Sequence, residues 1–272
     1  MTLLTELGRL LDLRMTLLVV LVFMPVERLA PQRRGQPLLR KDAATDLVYL
    51  LINGAVIRLM LVPILALLVL ARGNLQPAAL MQAIAAQPIW VQLIEAIIIA
   101  DLGFYIAHRL AHAVPFMWRL HAIHHSTENL DWLATFRVHP FDQIISATAS
   151  LAPLMLLGFS DVAMALYAVI YRWHSVLLHS NIRLPLGRLG LVVATPEFHR
   201  WHHSRLPDAW DKNFAGQFSL WDLVFGTSFL PRGLQSEASG IDLPVPRRYA
   251  DQLAFPFRKT GVVSSSEPPG TG

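Results

Sequence analysis

The sequence predicts an all-α protein: a polytopic transmembrane helical bundle with a cytosolic, histidine-rich helical cap. Three observations predict it. Hydrophobic residues make up 54% of the 272 residues and charged residues only 15%, where a soluble domain carries about 25% charged residues. Mean hydropathy is +0.43, and long apolar runs recur along the chain. All 11 histidines fall between His108 and His203, so an apolar first third precedes a histidine-bearing region.

The runs set the expected spans. Residues 15–26, MTLLVVLVFMPV, form a short apolar run that Pro25 is expected to kink or end. A signal peptide is the bland alternative, but a small-residue cleavage site is missing and more runs follow. Residues 47–71 form the clearest span, interrupted by Arg58, and 89–107 the next, with Glu95 and Asp101 inside it. Charges at that depth are expected to face protein rather than lipid. Runs 144–159 and 161–178, parted by Ser160 and Asp161, read as a helical hairpin, giving four or five spans in all. The apolar stretch 218–230 is too short to span and is expected to cover a site or lie at the interface. Three regions follow: a transmembrane scaffold over 1–88, a histidine-bearing catalytic region over 89–235, and a segment over 236–272 that ends in a disordered tail.

Charge sets the orientation. The loop from Arg28 to Lys41 also holds Arg33, Arg34 and Arg40, whereas the loop from Arg72 to Gln87 holds Arg72 alone. The positive-inside rule puts the first loop in the cytoplasm, and the helix from residue 89 then returns His108 to that side. The chain is read as an integral protein of the inner or cytoplasmic membrane, its histidine clusters cytoplasmic. The net charge of +4 and the pI of 9.8 are taken as topology signals. Basic and aromatic residues are not interleaved as nucleic-acid binding would require, so no nucleic-acid partner is expected.

The histidines carry the chemistry. His108 and His112 are four apart; His121, His124 and His125 form H-x-x-H-H, and His199, His202 and His203 repeat it. Positions three and four apart share a helix face, so one turn can aim several imidazoles at one point. These eight histidines, with His179 and His174 at the end of the hairpin, exceed what one ion uses; two ions with four to five ligands each account for them. His139 reads as a supporting residue. Asp101 and Tyr105 lie on the stripe of His108, where Asp101 can accept a histidine proton or bind metal. Direct ligation by Glu128, Asp131, Glu197, Asp211 or Asp222 is disfavoured against capping and ion pairing. Trp118, Trp132, Trp173 and Trp201 read as packing or interface residues that can also line a tunnel. Without cysteine, thiolate sites, iron–sulfur clusters and disulfides are excluded. H-E-x-x-H and G-x-S-x-G are also missing.

These motifs resemble the fatty acid hydroxylase / sterol desaturase superfamily of membrane di-iron oxygenases. The match rests on H108-RLA-H112, H121-AI-HH125, R137-V-H139-P, H179-S-N-I-R, T195-PEF-H199-RW-HH203, D211-K-N and L220-WDLVFG-T227, over roughly residues 90–230. The resemblance implies two non-haem Fe ions at the cytosolic face. It implies O2 as co-substrate and hydroxylation or desaturation of a lipid or sterol-like substrate. It implies His108, His112, His121, His124, His125, His179, His199, His202 and His203 as ligands or near-ligands. His174 lies five residues before His179, where some members have a histidine four before. No fused cytochrome or ferredoxin-like domain is seen, so electrons are expected from a separate electron-transfer protein. A membrane metal-dependent hydrolase and a metal-binding or transport protein are the competing readings.

Overall fold

The computed structural model describes residues 13–258 apart from 38, 39, 76, 232, 233, 235 and 237. The tail expected over 262–272 lies outside the described residues. Among those described, every regular element is helical. Three helical stretches are long and apolar enough to cross a membrane: Ala43–Ala71, Ile89–Ala113 and Pro140–Leu157.

Helix α1 covers Leu13–Leu29 with Pro25 inside it. The helix does not end at Pro25. Pro25 lies in the last turn, so few backbone bonds depend on it, and Val19 and Phe23 anchor the helix against Val176 and Ile182. Helix α2 runs continuously through Ala43–Val48, a π-helical turn at Tyr49–Asn53, and Gly54–Leu75. A short helix α3, Ala78–Ala85, leads into α4, Ile89–Ala113.

Helix α4 is the axis of the fold. Its buried face runs through Ala96, Ala100, Asp101, Tyr105, His108 and His112, a stripe at helical spacing. The stripe begins with small residues that let neighbours approach and ends with ligating ones. Helix α5 follows at Pro115–His125, started by a proline at a position that needs no N–H.

The two runs expected as a hairpin form consecutive helices, α6 at Pro140–Leu157 and α7 at Asp161–His179, each packed on α4 rather than closely on the other. His139 caps α6, its Nδ1 accepting the Phe141 N–H at 3.2 Å. Gly158 ends α6 with φ 88°, where a Cβ would come within 2.7 Å of Met81. Ser160 then caps α7 through the Ala163 N–H. Helix α8, Pro196–His202, is capped by Thr195, which accepts the Phe198 N–H at 3.2 Å. Helix α9, Leu220–Val224, is short. It buries Asp222 and exposes Leu220, Leu223 and Val224, so the apolar stretch has one anchored face and one outward face.

A buried charge network ties the basic loop to the histidine region. Arg40 makes paired bonds to Asp131 at 2.7 and 2.8 Å and an ion pair with Asp46. Arg137 pairs with Asp46 as well. Burying such charges is tolerable only because each is matched. Arg40, read as a topology signal, is thus also a structural link.

Helices α4 and α6 meet at backbone distance. A Cβ on Gly103 would lie 2.2 Å from the Ala149 carbonyl oxygen. Gly103→Val is expected to destabilise the protein by about 1–3 kcal/mol through overpacking, read as earlier thermal unfolding in detergent. An unchanged transition would refute this contact.

Candidate metal centre

Four helices deliver nine buried histidines to one end of the bundle. His108, His112, His121, His125 and His202 each offer a nitrogen to one group, and His124, His179, His199 and His203 to a second. Within each group the nitrogens lie within 4.8 Å of one another. The groups adjoin: the His125 and His203 rings stack at 4.4 Å, and the His121 and His124 rings meet at 5.3 Å.

The H-x-x-H-H spacing explains the division. At about 100° per residue, positions i and i+4 are about 40° apart, and i+3 falls on the other side of them. His121 and His125 therefore face the first group while His124 faces the second. In the other copy the roles are exchanged: His199 and His203 face the second group and His202 the first. Each motif forms part of the wall between the two sets.

The opposite side of six rings is fixed by oxygen. His108 Nδ1–H donates to the Phe214 carbonyl at 2.7 Å, His124 to Arg137 at 3.1 Å, His179 to Ser175 at 2.8 Å and His202 to Lys212 at 2.7 Å. His121 donates to Asp142 at 2.8 Å and His112 to Asp211 at 3.2 Å. A carbonyl or carboxylate only accepts, so each Nδ1 holds the ring proton and each Nε2 keeps its lone pair. Those lone pairs meet at 3.0 Å between His108 and His121, and at 2.9 Å between His124 and His179. Two lone pairs at that distance repel; a cation between them turns repulsion into ligation. His125 Nε2 and His202 Nε2 are buried without a hydrogen-bond partner. The donor set fits a metal pair.

Protons do not substitute for metal here. Burial, reinforced by neighbouring histidines, pushes His124, His125, His199 and His203 well below the ordinary imidazole value. Burial takes His202 down to about 3. These rings are neutral at physiological pH, as ligands must be.

Carboxylates brace the loop that supplies the acceptors. Asp101 lies beside the site but contacts no histidine: its oxygens accept the Gln217 and Phe218 amides at 2.8 and 2.7 Å. Asp222 accepts the Phe214 and Ala215 amides and the Thr227 hydroxyl. Tyr105 hydrogen-bonds Thr227 at 2.9 Å and so joins this brace. Two acids thus hold the Phe214 carbonyl on His108. Asp211, at φ 54°, and Asn213, at φ 59°, take left-handed backbone within the same loop. Such strain persists where packing imposes it; here the Asn213 side chain bonds Phe198 and Phe229.

His174 stands outside both groups, its Nε2 bonded to the Ala194 carbonyl at 2.9 Å. His139 also stands outside, as a helix cap bonded to Leu253. Asp131 pairs with Arg40. Trp118 lies against the His112 and His125 rings, whereas Trp201 packs on Phe229 and Trp173 on Phe23. Sequence reasoning missed Asp142, since nothing in the spacing links it to a histidine 21 positions earlier. A cavity of about 400 Å³, lined by Arg109, His112, Trp118, Asp211, Lys212 and Phe225, opens onto the first group.

Helices of membrane length joined to two adjoining, buried histidine sets define a membrane protein equipped for a metal pair. The fatty acid hydroxylase family profile matches residues 93–227, about half of the chain. Through this region the chain belongs to the fatty acid hydroxylase / sterol desaturase superfamily. It is similar to the ornithine lipid hydroxylase OlsE of Rhizobium tropici, 34% identical over 174 residues, covering 64% of this chain and 53% of the relative. It is also similar to the alkylglycerol monooxygenases of Danio rerio and Homo sapiens, each 36% identical over 47% of this chain and 28% of the relative. The chain thus spans about half of the first relative and under a third of the other two. No solved structure matches.

Reducing each set to three imidazoles tests the grouping. Metal analysis of the double variant His125→Ala/His202→Ala and of His124→Ala is expected to show about half the wild-type metal per chain, since three imidazoles remain in the altered set where an ion needs about four. His174→Ala is expected to keep full metal. Wild-type metal content in both of the first two variants would refute their assignment.

Proposed function

We propose that this protein is a non-haem di-iron oxygenase that hydroxylates an aliphatic carbon of a lipid. The observation that carries the reading is the fixed imidazole array: oxygen acceptors behind the rings hold lone pairs toward two adjoining centres. His108, His112, His121, His125 and His202 would hold one iron, and His124, His179, His199 and His203 the other. Histidine nitrogen also suits zinc and copper; iron is favoured by the superfamily and by relatives that are themselves a lipid hydroxylase and monooxygenases.

The reaction balances as one O2, two electrons and two protons per substrate, with one oxygen atom entering the lipid and the other leaving as water. An unactivated C–H bond offers no proton for a base, so O2 is the oxidant and the irons, when bound, would activate it. The chain supplies the rest. Asp142 and the Phe214, Arg137, Ser175 and Lys212 carbonyls keep the ligand rings in one orientation. Burial keeps the ligands neutral and limits water. Electrons come from a separate electron-transfer protein. Hydroxylation is preferred to desaturation on the names of the relatives, and cleavage of an ether lipid through hydroxylation is a branch of the same chemistry.

The location proposed is the cytoplasmic membrane, with the histidines on its inner side. Arg40 of the basic loop bonds Asp131, between the second histidine cluster and His139. Loop and histidines therefore share one end of the bundle, the end that positive charge assigns to the cytoplasm.

Lipid profiling of cells with and without the protein, under isotopically labelled O2, tests the activity. A lipid heavier by one labelled oxygen atom is expected, and it should vanish in His124→Ala. Label from water instead of O2 would support the hydrolase reading and overturn this one.

A further inference from the structure

Helix α9 turns Leu220, Leu223 and Val224 outward, Val224 being 62% exposed. A single helical turn at Gly187–Leu191 lies beside it and, with the residue that follows, exposes Leu189, Leu191 and Val192. Two bonds join the pair. The Ser219 hydroxyl donates to the Gly190 carbonyl at 3.1 Å, and the Ala194 amide donates to the Gln217 carbonyl at 2.8 Å. Arg188 stands exposed within the turn. Single exposed leucines are ordinary, but large apolar side chains gathered on two joined elements mark an interaction surface. A basic residue beside them is the composition of an element that lies in a membrane interface.

The patch runs on from a helix of membrane length. The outward side of α4 exposes Ile94, Ile98, Ile106 and Leu110. Phe225, directly after α9, stacks on Tyr105 of α4 at 5.1 Å, one residue from Ile106. Depth agrees with contact. Trp90, 64% exposed near the start of α4, is the kind of residue that marks a head-group boundary. About 30 Å of hydrocarbon takes about 20 residues of helix, and counted from Ile89 that reaches the turn holding Tyr105 and Arg109. Helix α9 is seated against this turn, at the opposite edge of the acyl layer.

We infer that α9 and the turn at Gly187–Leu191 form a seat that dips into the acyl edge of the bilayer, with lipid as its occupant, and that this seat fixes the mouth of the cavity beside His112 at the head-group layer. Phe225 and Gly226 line that mouth with Arg109 and Lys212, so apolar and basic groups meet where acyl chains meet phosphates. A second cavity, of about 410 Å³, lies among α2, α6 and α7. Its described lining includes no residue of α4, α9 or the turn, so the seat borders only the first. The inference rests on the membrane placement of α4 and not on the oxygenase reading.

The 272 residues include no cysteine, so a single introduced cysteine carries one fluorophore without competing labels. Val224→Cys, Leu191→Cys, Ile98→Cys and Leu206→Cys are labelled with an environment-sensitive dye in the full-length, metal-loaded protein in phosphatidylcholine nanodiscs. Quenching by nitroxide-bearing phosphatidylcholine is compared with quenching by iodide in the water. Ile98 reports the span, and Leu206, 43% exposed and outside the patch, reports water. Labels at Val224 and Leu191 are expected to lose most of their emission to the nitroxide lipid and little to iodide, and the label at Leu206 the reverse. Leu223→Cys and Leu189→Cys give a second site on each element should a first variant lose its metal. Iodide quenching at both elements would overturn the inference. Protection from both quenchers would overturn it too, since that marks a protein cover or a second copy in place of lipid. Iodide quenching at Ile98 would overturn the placement of α4 and the seat with it, whereas failed lipid oxidation with lipid quenching intact removes only the oxygenase.

Discussion

The structure depends on one repeated interaction: an imidazole Nδ1–H held by an oxygen acceptor, leaving the Nε2 lone pair facing inward. A free imidazole has two tautomers and a rotating ring. Six of the nine clustered rings here are restrained by Phe214, Asp211, Asp142, Arg137, Ser175 and Lys212. The acceptors come from loops and helices that have no other reason to converge. Bracing them explains much of the buried polarity: Asp101 and Asp222 hold the loop behind His108, and the Arg40–Asp46–Arg137 network holds the backbone behind His124. The charges inside this apolar protein are spent on orientation at one remove from the metal ligands.

Helix packing sets how close the ligands come. Helices α4 and α6 touch at Gly103 without an intervening side chain, which allows Asp142 at the start of α6 to reach His121 on α5. A wider separation would weaken that bond before any ligand was altered. Metal binding in turn stabilises the fold, because neutral imidazoles with opposed lone pairs are at low energy only around a cation. Fold and centre are therefore one cooperative unit, and variants that loosen helix contacts and variants that remove ligands should converge on the same loss of metal.

Local patterns in the sequence revealed more than long-range ones. The spacing of His121, His124 and His125, and of His199, His202 and His203, foretells convergent ligands because helical periodicity is a local property. The turn at Ser160 was legible for the same reason, since Ser160 caps α7. The acceptors were not legible. Asp142 and the Lys212 and Phe214 carbonyls meet their histidines across the fold, and a carbonyl has no sequence signature. Asp101 shares the stripe of His108, yet the loop at Gln217 reaches its carboxylate first. His174 misplaces a ligand by about 100° of helix rotation relative to a position four before His179, and it turns to Ala194 instead. Pro25 does not end its helix, because a proline near a helix end removes few backbone bonds.

The two cavities give the centre two kinds of access. One opens onto His112 beside Arg109, Asp211 and Lys212 and is polar at its rim. The other lies behind His124 and His179, between apolar helices, and carries Arg58 and Arg172. A lipid and a water-borne reactant need not share an entrance. The described lining of the second cavity holds none of the clustered histidines, so the motifs that define the superfamily leave that wall free to differ.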